Sequence, residues 1–128
     1  MTYDAQVSIG AQNYRADIAI RTHALIADEP AALGGQDLGP TPMEMVAGAL
    51  GACTSVTLRM YAQRKGWDLQ SVDVDVAIDF KAMSIARTVK LTGTLDAEQR
   101  ARLFQIADAC PVHKLLANAV PATTTSAE

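Results

Sequence analysis

Residues 41–66, TPMEMVAGALGACTSVTLRMYAQRKG, carry the clearest signal for the fold. Thr41 can act as a helix N-cap, Pro42 suits the first helical position, and Glu44 completes a capping box. The pattern predicts a helix to about Lys65, since the glycine that follows can terminate it. At ~1.5 Å per residue this helix would be roughly 35 Å long. Its first half is apolar on every side, which predicts a buried central helix.

Short alternating stretches before this helix indicate β-strands. Apolar and polar residues alternate over residues 7–9 and 14–20, with a turn at residues 10–13 between them. Residues 24–27 predict a third short strand. Residues 28–42 hold three Pro and three Gly, so this segment is predicted to be a loop.

A longer strand is predicted after the helix. Polar or small residues there alternate with five apolar side chains, Val72, Val74, Val76, Ile78 and Phe80. Residues 88–95 are the predicted antiparallel neighbour, reached by a loop around residues 82–86. The residues Asp73, Asp75 and Asp79 predict a solvated strand face rather than a metal site.

The last part of the chain is predicted to be mainly helical. Asp96 and Gln99 can form a second capping box, which opens a helix through Ala109. Pro111 then begins a short helix to about Asn118.

The order of these elements predicts the α+β class, with antiparallel sheets packed around the buried helix. Residues 122–125 could add a last strand that closes a sheet edge. A length of 128 residues predicts one domain over residues 1–128, of a size that dimerisation would help to stabilise.

Charge and hydropathy exclude two classes of partner. The formal net charge is -3, and no basic cluster is larger than Arg64-Lys65, so we expect no nucleic-acid binding. The longest apolar stretch, residues 43–52, is about half of a membrane span. The first residues lack a basic region followed by an apolar core, so we expect a cytoplasmic protein that is not bound to a membrane.

The chain has two cysteines, and each has two possible roles. Cys53 lies inside the predicted helix among small residues, either as an inert core residue or as a reactive thiol. Cys110 precedes Pro111 at a predicted N-cap, where free N–H groups would favour a thiolate, although a buried capping cysteine is the alternative. In a reducing compartment the two are either inert or a working pair rather than a structural disulfide.

Metal and cofactor motifs are weak. The spacing of Cys110 and His113 could be half of a zinc site, but no second closely spaced pair completes it. The glycine-rich residues 34–39 lack the lysine of a P-loop. We therefore expect no metal and no cofactor.

Four stretches together resemble one known family. They are residues 23–30 (HALIADEP), 34–44 (GGQDLGPTPME), 50–54 (LGACT) and 110–113 (CPVH). Over roughly residues 14–125 the chain resembles the OsmC/Ohr family, the OsmC-like and organic hydroperoxide resistance proteins. Both cysteine motifs occur in the order and at the separation typical of that family.

The resemblance implies an intertwined homodimer with active sites at the subunit interface. It also implies a thiol-dependent reduction of small organic hydroperoxides, in which a thiolate attacks the O–O bond and the sulfenic acid is resolved by a second thiol. Carried over to this chain, Cys53 is the peroxidatic and Cys110 the resolving residue. The reductant implied is a dithiol such as a lipoyl group.

Two positions depart from the pattern of the family. Its hydroperoxide reductases carry a glutamate ten residues before the peroxidatic cysteine, where this chain has Met43 and places Glu44 one residue later. Nine residues put Glu44 and Cys53 on opposite sides of a helix, so capping is the stronger role for Glu44. The family also uses an arginine near the thiolate, for which Arg21 is the best candidate and Arg15 the next.

The predicted site therefore comprises Cys53 and Cys110, with Arg21 and Glu44 as weaker members. A second function stays open at this level: a non-enzymatic dimeric module that binds a small apolar ligand in a thiol-lined pocket. The two functions differ in whether the thiols react with a hydroperoxide.

Overall fold

The computed structural model describes residues 2–118 and 120–127. The chain forms two compact units, an N-terminal unit up to Ala47 and a C-terminal unit from Gly48 onward. The first helix, α1 (Pro42–Lys65), continues through the point of division. The α+β class with antiparallel sheets is confirmed.

The N-terminal unit is a three-stranded antiparallel sheet. Its strands are β1 (Gln6–Ile9), β2 (Ala16–Ile20) and β3 (His23–Ala27), which pair in the order β1-β2-β3. The three predicted strands are therefore confirmed. The predicted loop that follows contains one short 3₁₀ turn, Ala31–Leu33.

A buried carboxylate organises that loop. Asp28, only 1% exposed, accepts hydrogen bonds from the backbone N–H groups of Tyr14, Glu29, Gln36 and Leu38, at 2.7–3.3 Å. Burial opposes ionisation, but the four donors outweigh it and hold the pKa of Asp28 below its usual value. The loop is thus built around one ionised side chain.

The C-terminal unit begins with a long hairpin. Strand β4 (Asp68–Asp79) pairs with β5 (Ser84–Thr94) from Asp79 opposite Ser84 back to Asp68 opposite Thr94. The predicted start of β5 at residue 88 was wrong, because Ile85 already pairs with Ile78. Phe80, predicted to lie in the strand, instead stands in the turn and is 67% exposed.

Two helices complete the C-terminal unit. They are α2 (Ala97–Ala107) and α3 (Pro111–Ala117). The capping box of Asp96 and Gln99 at α2 is confirmed, with both reciprocal hydrogen bonds present. Helix α2 ends two residues earlier than predicted.

The predicted strand at residues 122–125 is wrong. In the described part of the chain these residues join no sheet. Ala122 is followed by three threonines, so the segment has no alternating apolar face to pack against a core.

Helix α1 is buried along one stripe only. Leu50, Thr54, Leu58 and Ala62, spaced four residues apart, are the buried positions. Leu58 and Ala62 join a core with Leu69, Leu91, Leu103 and Ala107. One chain does not bury the predicted first half completely, because Met43 and Val46 remain 42% and 37% exposed. The hairpin and α2 can cover only one face of so long a helix.

The ends of α1 agree with the prediction. Thr41 and Glu44 exchange the two hydrogen bonds of a capping box, at 2.9 and 3.2 Å. The helix ends at Lys65, and Gly66 follows with a left-handed φ of 69°. No helix within the described ranges is both long and apolar enough to cross a membrane.

Candidate active site: a pair of neighbouring thiols

The cysteine before α3 is placed by the start of that helix. Pro111 occupies the first helical position and has no N–H, so the free donors come from the next two residues. The His113 N–H donates to Cys110 Sγ at 3.4 Å. Cys110 is therefore the N-cap, as predicted, and none of its surface is exposed.

The second thiol belongs to α1. Cys53 is partly exposed, and its side chain neighbours that of Cys110, with which it interacts electrostatically. The backbone of Val112 and the hydroxyl of Thr57 also interact with the Cys53 sulfur. The structure thus brings the two sequence-predicted cysteines together, and both are free thiols.

The environments of the two sulfurs differ in electrostatic effect. Burial raises the pKa of the Cys53 thiol, and the hydrogen bond to Cys110 raises it further. Burial also opposes ionisation of Cys110, but hydrogen bonds from Cys53, the His113 backbone and Thr54 hold its pKa below the usual value. These opposite directions mean that, when the pair loses one proton, the negative charge is expected preferentially on Cys110.

Sequence reasoning missed a polar chain that leads to Cys110. Arg87 on β5 donates to Thr54 Oγ1 at 3.1 Å, and Thr54 Oγ1 lies 4.0 Å from Cys110 Sγ. The other guanidinium nitrogen of Arg87 pairs with Asp108 at 2.6 Å. The signal was present in the strand pattern, because Arg87 alternates with Val89 and Leu91 and so shares their inward face.

Arg21 and Glu44 lie in the N-terminal unit. Arg21 stands in the turn between β2 and β3, exposed, with a left-handed φ of 54°. Glu44 is engaged by Thr41, whose backbone N–H and hydroxyl lower the pKa of its carboxyl group. The capping role of Glu44 is therefore confirmed, whereas a role for either residue at the thiols stays a prediction.

Two cavities adjoin residues of the thiol site. One, of about 340 Å³, is lined by Leu50, Ile85, Arg87, His113, Leu116 and Ala117. The other is an open groove of about 570 Å³, lined by Thr57, Met60, Gln63, Arg64 and Pro111. Both have volumes typical of small-molecule sites, and both combine apolar walls with a few polar groups.

The thiols are not arranged as metal ligands. Across residues 2–118 and 120–127, no three His, Cys, Asp or Glu side chains cluster as a metal ion would require. His113 contributes its backbone N–H to Cys110 in this structure.

These features define a small α+β protein with two neighbouring thiols in its C-terminal unit. The profile of the OsmC-like protein family matches residues 34–125, which include both cysteines. The chain therefore belongs to the OsmC-like family. A search of curated proteins finds no match.

Solved structures with the same fold come from several bacteria. An OsmC-like protein from Mycoplasma pneumoniae is 14% identical, with a TM-score of 0.74 over 91% of this chain and 88% of that one. The organic hydroperoxide resistance protein OsmC from Legionella pneumophila is 21% identical, with a TM-score of 0.66 over 91% and 89%. The organic hydroperoxide resistance protein OhrB of Bacillus subtilis is 21% identical, with a TM-score of 0.54 over 90% of each chain. At these identities the similarity shows the fold.

Proposed function

We propose that this protein is a thiol-dependent reductase of small organic hydroperoxides. The observation that carries the proposal is the neighbouring pair of free thiols, one partly exposed and one buried. The names of the Legionella and Bacillus proteins, which refer to organic hydroperoxide resistance, support the same class of substrate.

Cys53 is the proposed site of attack, because it is the thiol that a substrate can reach. Its thiolate attacks the peroxide O–O bond, leaving sulfenic acid on Cys53 and releasing an alkoxide that takes up a proton. The Cys110 thiolate then attacks the Cys53 sulfur, expelling hydroxide, which is protonated to water. Two thiols are oxidised to a disulfide while one hydroperoxide is reduced to an alcohol.

The cycle closes with an external reductant, for which we propose a dithiol such as a lipoyl group. A dithiol can reduce the Cys53–Cys110 disulfide by exchange and leave as its own cyclic disulfide. Free thiols also suit a reducing compartment, in agreement with the predicted cytoplasmic location. No cofactor is part of this proposal.

Two cysteine variants test the proposal because they should fail in different ways. Cys53→Ser should lower peroxide consumption to background and leave Cys110 reduced. Cys110→Ser should accumulate sulfenic acid on Cys53, which advances to sulfinic acid under excess peroxide. Ala52→Ser, an exposed neighbour on the same helix, serves as the control. Wild-type peroxide turnover by Cys53→Ser would refute the catalytic role.

The apolar cavity beside Arg87 keeps a ligand-binding module as the second candidate. A count of free thiols after one equivalent of cumene hydroperoxide separates the two functions. Loss of both thiols, reversed by a dithiol, supports the reductase. Unchanged thiols support the binding module.

A further inference from the structure

We infer that Arg87 is a positioning residue which, acting through Thr54, holds the shared negative charge on Cys110, so that Cys110 is the base that removes the Cys53 proton. The inference about the base rests on the proposed function, since it describes how Cys53 becomes a nucleophile. The inference about charge concerns the reduced protein alone.

The hydroxyl of Thr54 connects the guanidinium group to the sulfur. Its oxygen accepts from Arg87 Nη1 at 3.1 Å, which leaves one hydrogen to donate. Two acceptors lie within reach of that hydrogen, the Leu50 carbonyl at 2.7 Å and Cys110 Sγ at 4.0 Å. Donation from a cation polarises the hydroxyl and strengthens its own donation. The hydroxyl can therefore turn towards Cys110 when the sulfur is ionised.

The charged and titratable groups around Cys110 favour this assignment. Cys53 faces it from α1, His113 from α3, and Arg87 from β5 through Thr54. The carboxylate of Asp108 pairs with Arg87, but the two are unequally exposed. The Arg87 side chain is 12% exposed and that of Asp108 is 70% exposed. Solvent therefore screens the carboxylate more than the guanidinium group. The pair should then contribute a net positive electrostatic potential at the Cys110 sulfur.

The proton and electrons can be followed through the reaction. The Cys53 S–H proton passes to the neighbouring Cys110 thiolate as Cys53 attacks the peroxide. The O–O bond breaks, and the departing alkoxide takes up the proton from Cys110. Cys110 is then a thiolate again and attacks the sulfenic acid. The same sulfur is thus a base in the first step and a nucleophile in the second.

Titration of the thiolate by its ultraviolet absorbance tests the inference without peroxide. Arg87→Gln should raise the apparent pKa of the pair by about one unit. At a given pH below that pKa, this corresponds to roughly tenfold less thiolate. Asp108→Asn should shift it by a few tenths of a unit in the opposite direction, because it removes the counter-charge of Arg87. A merely structural role would not give opposite signs.

Matched variants separate charge from folding. Arg100→Gln removes an arginine that donates to the Leu91 and Gly93 carbonyls, so it should leave the thiol titration unchanged. Thr54→Val should act like Arg87→Gln, whereas Thr54→Ser, which keeps the hydroxyl, should restore the wild-type titration. If Arg87→Gln does not fold, the comparison of Thr54→Val with Thr54→Ser tests the inference instead.

Peroxide kinetics then test the base. In a single turnover, Arg87→Gln and Cys110→Ser should both slow the formation of sulfenic acid on Cys53, the second by at least tenfold. Equal shifts in Arg87→Gln and Arg100→Gln, or shifts of the same sign in Arg87→Gln and Asp108→Asn, would overturn the inference. If the wild type consumes no peroxide but the titrations shift as expected, the proposed function fails while the charge assignment stands.

Discussion

At the scale of single residues, one sulfur of the pair is accessible and the other is the more readily ionised. Cys53 is partly exposed but its pKa is raised by burial and by its partner, whereas Cys110 has a lowered pKa and no exposed surface. A nucleophilic thiol needs both properties. Because the two thiols are neighbours, the proposed transfer of the Cys53 proton to the Cys110 thiolate would ionise the accessible sulfur.

Alkylation should rank the two thiols by access. We expect brief iodoacetamide treatment of the reduced protein to label Cys53 well before Cys110, because a reagent cannot reach the buried sulfur. Peptide mass spectrometry measures both sites in one sample, and labelling in urea gives the reference for unprotected thiols. Faster labelling of Cys110 would reverse the assigned roles.

The sequence was informative about the thiols and uninformative about their surroundings. The Cys110 cap could be predicted, because Pro111 and the free N–H groups after it are local. The contact of Cys53 with Cys110 rested on a family resemblance, because pairing across the chain has no local signature. Arg87 was missed because a strand pattern shows which face a side chain occupies but not which residue it contacts. Asp28 was missed because the four backbone N–H groups that donate to it come together only when the loop folds.

Asp28→Asn should destabilise the N-terminal unit at neutral pH. The pKa of Asp28 is lowered in the folded protein, so its stabilising effect is present above the unfolded pKa of about 3.9. It is lost as the pH falls through the folded pKa. Urea unfolding should therefore show a lower midpoint for the variant at pH ~7, and the difference from wild type should narrow below pH ~4.

Asp37→Asn is the control for this measurement, since Asp37 is an exposed acidic residue in the same loop. It should unfold like wild type at both pH values. A difference between Asp28→Asn and wild type that stays constant into acid would contradict the role of the charge.

At the scale of elements, local sequence signals predicted where the helices begin. They did not predict strand register or burial, which depend on packing between distant residues. Both capping boxes, at Thr41 and at Asp96, were found because a cap involves residues only three apart. The start of β5 was placed too late, because its pairing depends on the register with β4. The share of α1 that a single chain covers was not predictable, because apolar composition does not reveal how much cover one chain provides.

Gly51 is the position at which substitutions test how closely α1 packs against β4. A Cβ atom there would meet Val76 Cγ2 at 3.6 Å and Val74 Cγ1 at 3.9 Å, which is ordinary contact. Gly51→Ala should therefore stabilise the protein by up to ~1 kcal/mol through helix propensity. Gly51→Leu should cost about 1–3 kcal/mol, because the longer side chain overpacks the contact with the hairpin.

Urea denaturation, analysed with a constant m-value, measures the free energy of unfolding of both variants. Gly48→Ala is the matched control, since nothing lies within 4 Å of a Cβ atom at that position. It should show the gain in helix propensity alone. A Gly51→Leu variant as stable as Gly51→Ala would mean that the helix and β4 are not packed closely.

At the scale of the whole molecule, α1 leaves an apolar face uncovered. Val56 and Met60 are 51% and 59% exposed, and helical periodicity puts them on one side of the helix. Cys53 lies on the same side by the same periodicity. Contiguous exposed apolar side chains mark interaction surfaces. We therefore propose that a second copy of the chain covers this face, in agreement with the homodimer that the family resemblance implies.

The dimer can be tested together with its effect on the thiol. Wild-type protein at micromolar concentration should sediment as a dimer, and Met60→Lys should weaken association by at least tenfold, because a charge would be buried at the interface without a partner. Ala101→Lys, at an exposed position on α2 outside this face, should leave the dimer intact. If the partner shields Cys53, the Met60→Lys monomer should also be alkylated faster at Cys53 than the dimer is. A compact wild-type monomer would contradict the proposed assembly, and a dimer with unchanged alkylation would mean that the interface lies away from the thiol.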